Sequence, residues 1–93
     1  MKDRDRYKRL FLELKRLEKS NELFTKKQLA MNTGYSEGSI GVYIRNKLKN
    51  VYIFYDNSGK YYVKNISQID YPTFSDFMSQ QSRKVRQRSI YII

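Results

Sequence analysis

Ninety-three residues are enough for one modest hydrophobic core and too few for two. With 19 Lys and Arg against 9 Asp and Glu, the formal charge is +10, which points to a polyanionic partner, either nucleic acid or an anionic membrane surface. The absence of Cys and His rules out disulfides and thiolate metal sites and removes the commonest general base. The acids stand singly among bases, so neither an enzyme nor a bound cofactor is expected.

The start, "MKDRDRYKRL", lacks the apolar stretch of a secretory signal, and no run approaches the roughly 18 apolar residues of a membrane-spanning helix. The expectation is a soluble cytoplasmic protein without a membrane partner. From about residue 3 to 19, Tyr7, Leu10, Phe11, Leu14 and Leu17 recur at helical spacing, which predicts an amphipathic helix with a charged outer face.

A second helix is announced by Thr25 as N-cap with Gln28 three residues on, the spacing of a capping box, and by Phe24 and Leu29 at the spacing of a hydrophobic staple. Asn32, Thr33 and Gly34 stop it, with Gly34 suited to a left-handed position. Ser36 then caps a third predicted helix over 37–48, with Ile40, Tyr43, Ile44 and Leu48 as its buried stripe. Gly38, Val42, Arg45, Asn46 and Lys49 fall on the opposite side.

After residue 50 the period changes from helical to alternating. "VYIFY" and "KYYVK" flank "DNSG", a β-hairpin pattern that points Val51, Ile53 and Tyr55 one way and Tyr52 and Phe54 the other. Further on, Pro72 as a breaker and Thr73 as a cap predict a short helix carrying Phe74, Phe77 and Met78. "SRKVRQRS" and the apolar "IYII" close the chain, and there is no internal repeat. The reading divides the chain into residues 1–70 and a C-terminal extension, 71–93.

The residues "FTKKQLAMNTGYSEGSIGVYIRNKLKN" followed by "VYIFYDNSGKYYV" carry a resemblance to the winged helix-turn-helix domains of bacterial and phage DNA-binding proteins, over about residues 6–63. The resemblance implies an α+β fold with a three-helix core, a two-stranded hairpin as the wing and, here, a C-terminal helix. It implies that helix 37–48 lies in the major groove of double-stranded DNA, with the preceding helix across the backbone, as in a transcriptional regulator. The base-reading face would comprise Ser36, Gly38, Ser39, Val42, Arg45, Asn46 and Lys49. Lys26, Lys27, Lys47 and Lys60 would meet phosphates. The hairpin tip departs from the family pattern, because it offers Asp56 and Lys60 where many wings carry several bases.

The residue types agree with that assignment on physical grounds. Gly38, Ser39 and Gly41 keep the start of the helix slim, and Arg and Asn are the side chains that pair with guanine and adenine edges. Each helical glycine costs about 1 kcal/mol relative to alanine, to be offset by close helix packing or by close approach of a partner. Residues 23–50 carry five bases and one acid, whereas residues 51–70 are balanced.

Three alternatives stay open. The tail bases Arg83, Lys84, Arg86 and Arg88 could bind phosphate or lie on the polar face of a last helix, which could also form a homodimer. Tyr52, Tyr61 and Tyr62 could stack single-stranded bases, or be ordinary strand residues. Winged helices also serve as protein-docking modules, for which "IYII" and the Val42 side would be the surface.

Overall fold

The amphipathic stripe of the first predicted helix is the floor of the fold. In a computed structural model that describes residues 6–80, helix α1 (Lys8–Ser20) buries Leu10, Phe11, Leu14 and Leu17, and Tyr7 joins them from just before its first turn. Each fully buried leucine contributes about 1.5–3 kcal/mol. Helices α2 (Lys26–Thr33) and α3 (Glu37–Tyr43) follow, and α3 runs on into a single π turn (Ile44–Leu48). The antiparallel strands β1 (Ile53–Tyr55) and β2 (Tyr61–Val63) pair Ile53 with Val63 and Tyr55 with Tyr61. A 3-10 turn (Ile66–Gln68) leads to helix α4 (Tyr71–Ser79). The described chain is therefore a small α+β fold of four α-helices and one hairpin.

The helices and hairpin meet on α1, which packs against α2, α4, β2 and the 3-10 turn. Phe24, in the link between α1 and α2, exchanges two backbone hydrogen bonds with Tyr61, at 2.9 and 2.8 Å, and so gives β2 a partner on its second edge. That pairing ties the hairpin to the root of α2, which answers the marginal stability of an isolated two-stranded hairpin.

Element ends are marked by residues that tolerate a left-handed backbone. Asn21 (φ 55°) ends α1, Gly34 (φ 85°) ends α2, Asn50 (φ 67°) turns the chain toward β1 and Asn65 (φ 73°) turns it out of β2. Asparagine and glycine bear this conformation at least cost. At Asn65 the Glu18 carboxylate accepts from the backbone N–H of Asn65, Ile66 and Ser67, at 3.2, 3.0 and 2.9 Å, and seats the 3-10 turn on α1.

Several sequence expectations are corrected. The helix expected over 37–48 is α-helical only to Tyr43; from there the backbone bonds lengthen to the i→i+5 pattern, with Lys49 N–H donating to the Ile44 carbonyl at 2.8 Å. The wider turn keeps Ile44 and Leu48 buried while the chain swings toward β1, and the Leu48 carbonyl accepts from both Val51 and Tyr52, at 3.0 Å each. Val51 and Tyr52 lie in that turn and not in β1, so strict alternation fails: Tyr52 is buried and Val51 exposed.

The cap of α4 is Asp70, not Thr73. Its carboxylate accepts from Thr73 N–H at 3.1 Å, and Pro72 sits inside the first turn, where its missing N–H costs nothing. Nor does the core stop at residue 70. Phe74 is fully buried with its ring 5.3 Å from Phe11, and Tyr52 lies 5.2 Å from Phe77, so α4 belongs to the same core as α1.

Candidate nucleic-acid interface

The α2–turn–α3 unit is written locally before it is packed. At its start Thr25 Oγ1 accepts from Gln28 N–H at 3.1 Å while Gln28 Oε1 accepts from Thr25 N–H at 2.9 Å, the reciprocal capping box. The staple partners Phe24 and Leu29 are both buried. At its end the Thr33 hydroxyl donates back to the Leu29 carbonyl at 2.8 Å, and the Gly34 N–H to Ala30 at 2.9 Å. A side chain on Gly34 would be strained by its positive φ and would also press on Arg9, whose guanidinium donates to the Thr33 carbonyl at 3.5 Å.

Tyr35 makes the turn rigid. Its ring stands edge-on to Tyr43 at 5.6 Å, Tyr43 stands edge-on to Tyr7 at 5.8 Å, and its hydroxyl donates to the Arg6 carbonyl. Burial, reinforced by the neighbouring Tyr43, Tyr7 and Tyr71 hydroxyls, pushes the Tyr35 phenol up to about 12. Arg9, Thr33 and Tyr35 thus hold the turn, yet none stands out by spacing as a site residue; the "TGY" run is the trace of Thr33 and Tyr35 in the sequence, and Arg9 leaves none.

Ser36 begins α3, accepting from Ser39 N–H at 3.0 Å and donating to Ser39 Oγ at 3.1 Å. Both hydroxyls are therefore engaged in the cap. Ile40, Ile44 and Leu48 are buried, and Tyr43 is half-buried among the other tyrosines. Opposite them Gly38, Ser39, Val42, Arg45, Asn46 and Lys49 are all exposed, Val42 at 43%. Glu37 in the first turn is the acid on this helix.

The two glycines differ in surroundings. A Cβ on Gly38 would meet open space, its nearest neighbour being Ser36 Oγ at 4.0 Å. Gly41 is buried beneath the Lys26 side chain, where a Cβ would rest 3.4 Å from Cδ and 3.5 Å from Nζ, an ordinary contact distance. Lys26 thus crosses from α2 onto the flank of α3, while Lys27 is exposed beside it.

The remaining predicted contacts scatter. Lys47 turns inward, its ammonium donating to the carbonyls of Phe77, at 3.4 Å, and Gln80 at the C-terminal end of α4. A cation there offsets the negative end of the helix dipole, which is a structural use of the side chain and not the outward one expected from sequence. Lys60 is exposed near the hairpin tip. Asp56 there is occupied by the Ser58 hydroxyl and N–H, at 2.5 and 2.9 Å, which hold its carboxyl below the usual range with help from Lys60. Arg83, Lys84, Arg86 and Arg88 lie outside the described residues.

The three hairpin tyrosines do not form a common platform. Tyr52 packs on Phe74 and Phe77, Tyr61 lies between Phe24 and Tyr55, and Tyr62 stacks on Phe54 at 5.7 Å. Among the described residues no helix is long and apolar enough to cross a membrane. The chain matches no protein-family model, no curated protein and no solved structure.

Proposed function

We propose that this chain is a winged helix-turn-helix module that binds double-stranded DNA sequence-specifically, with α3 and its π turn in the major groove and the β1–β2 hairpin as the wing. The observation that carries this reading is the outer face of α3. It is small at its start, where Gly38 has free space above it, and ends in the exposed Arg45, Asn46 and Lys49. A slim leading edge allows close approach to base edges, and Arg and Asn make bidentate pairs with guanine and adenine.

Roles follow from position. Arg45 and Asn46 read base edges, Val42 offers an apolar contact to a thymine methyl, and Lys26, Lys27 and Lys49 neutralise phosphates around them. Ser36 and Ser39, engaged with each other, shape the helix start. Lys60 supplies a wing contact of modest strength, since Asp56 sits in the same turn.

Selection from a randomised duplex library, followed by affinity measurements at several salt concentrations, tests the proposal. The expected outcome is an enriched motif and a log–log salt slope of about −5 to −8, corresponding to roughly six to nine phosphates. No enriched motif together with a flat salt response would refute it.

A further inference from the structure

The start of α1 is basic and lies against the turn that leads into α3. Arg6 and Arg9 are both exposed. The Arg9 guanidinium donates to the Thr33 carbonyl at 3.5 Å, a long bond that engages one edge of its fork. The Arg6 carbonyl accepts from the Tyr35 hydroxyl, and the Arg6 guanidinium stands 5.8 Å from the centre of the Tyr7 ring, which itself abuts Tyr43 of α3. One turn along α1 the carboxylate that could pair with Arg9, that of Glu13, is already taken: it accepts from Arg16 Nε and Nη2, at 3.1 and 2.7 Å, and from Asn32 at 3.1 Å. Among the described residues neither Arg6 nor Arg9 has a carboxylate partner.

We propose that Arg9, with Arg6 beside it, binds the phosphate strand that runs past the head of α3, an inference that rests on the reading of α3 given above and extends its footprint onto α1. Position carries it. A Cβ on Gly34 would lie 2.9 Å from Arg9 Nη1, and Gly34 stands two residues before Ser36, the cap of α3. Two residues span at most about 7 Å, so the guanidinium lies roughly 12 Å or less from the cap. The major groove is about 12 Å wide, and a helix seated in it has a sugar–phosphate strand within that distance on either side. The planar fork suits two phosphate oxygens, and its bond to Thr33 orients it before DNA arrives, so less freedom is lost on binding. Offsetting the C-terminal end of α2 would account for Arg9 alone; Arg6 donates to no carbonyl among the described residues, yet is held over the same turn.

The test measures the salt dependence of affinity for R9Q, R6Q, R6Q/R9Q and R9K on the duplex motif selected by the full chain. Each glutamine should make the log–log slope shallower by about 0.9, and the pair by about 1.8, so that doubling the salt costs the full chain about 3.5-fold more affinity than it costs the pair. R9K keeps the charge and should keep the slope. The enriched motif should not change in any of them. Arg6 holds Tyr35 through its backbone, so R6Q leaves that bond in place and should melt at the temperature of the full chain. Ethylation of single phosphates then locates the contact: at one phosphate beyond the head of α3, ethylation should weaken binding by the full chain and leave that of R6Q/R9Q unchanged.

Slopes for R6Q and R9Q equal to that of the full chain overturn the α1 contact while leaving the α3 reading intact. A lowered melting temperature for R9Q with an unchanged slope also overturns it, by confining Arg9 to the turn. So does a changed motif, because a phosphate contact carries no sequence information of its own. Absence of duplex binding by the full chain overturns both proposals together.

Discussion

Gly38→Ala separates stability from binding at one atom. Gly38 sits in the first turn of α3 with ordinary helical backbone, and the added methyl would find its nearest neighbour, Ser36 Oγ, 4.0 Å away. Alanine is the better helix former by about 0.8–1.0 kcal/mol in a helix interior, and the first turn should realise about half to all of that. For a domain of this size the expected gain is about 2–8 °C in Tm. If α3 enters the groove on this edge, the same methyl meets DNA at closest approach. Forcing a methyl into a filled interface costs about 1–3 kcal/mol, or about 5- to 150-fold in affinity. Thermal melts followed by circular dichroism give the first quantity, and fluorescence anisotropy on the selected duplex gives the second. A variant that is stabilised yet binds as tightly as the parent chain would refute the idea that a partner approaches at Gly38. Destabilisation would show instead that the glycine serves the fold.

Further tests divide reading residues from holding residues. Arg45→Ala should cost about 1–3 kcal/mol and relax preference at one base position, whereas Lys27→Ala should weaken all sequences alike and make the salt slope shallower by about 1; matching, sequence-independent losses would put base reading elsewhere. Lys47→Met removes the cation from the end of α4, so a loss of about 0.3–1 kcal/mol in stability is expected, with Arg45-dependent sequence preference retained; a loss of preference with full stability would make Lys47 a reading residue. Glu18→Ala strips the acceptor from three backbone N–H groups and should destabilise by about 1–3 kcal/mol in urea titrations; an unchanged midpoint would mean that water replaces the carboxylate at no cost. The Tyr35 phenol, raised to about 12 against about 10 when unfolded, favours the folded state fully below pH 10 and loses that contribution as pH rises toward 12. Alkaline melts of Tyr35→Phe should therefore fall less steeply over that window, and parallel curves would exclude Tyr35 as the group responsible.

Much of the molecule was legible in the sequence because its signals are local. The stripe from Tyr7 to Leu17, the capping box at Thr25 and Gln28, the left-handed stop at Gly34, the cap at Ser36 and the hairpin around "DNSG" all act within a few residues, and each recurs in the structure. The outward row of α3 was legible for the same reason, since Ile40, Ile44 and Leu48 face the core and the period then dictates which residues do not.

Contacts between distant segments were not legible. No local pattern announces that the Glu18 carboxylate, well formed for a solvated helix face, caps a turn forty-seven residues later. Lys47 looks like any basic residue of an exposed helix until α4 brings the Phe77 and Gln80 carbonyls to its ammonium. The π turn likewise arises from two demands met at once, burying both Ile44 and Leu48 and turning the chain at Asn50 into β1. Residue type and period alone determined where α2 and α3 begin, which faces of the helices are apolar and where the positive charge collects. Only the packed chain decided which of those charges remain directed outward and which bind its own backbone, because a lysine cannot distinguish a phosphate from a helix carbonyl until the fold brings one of them within reach.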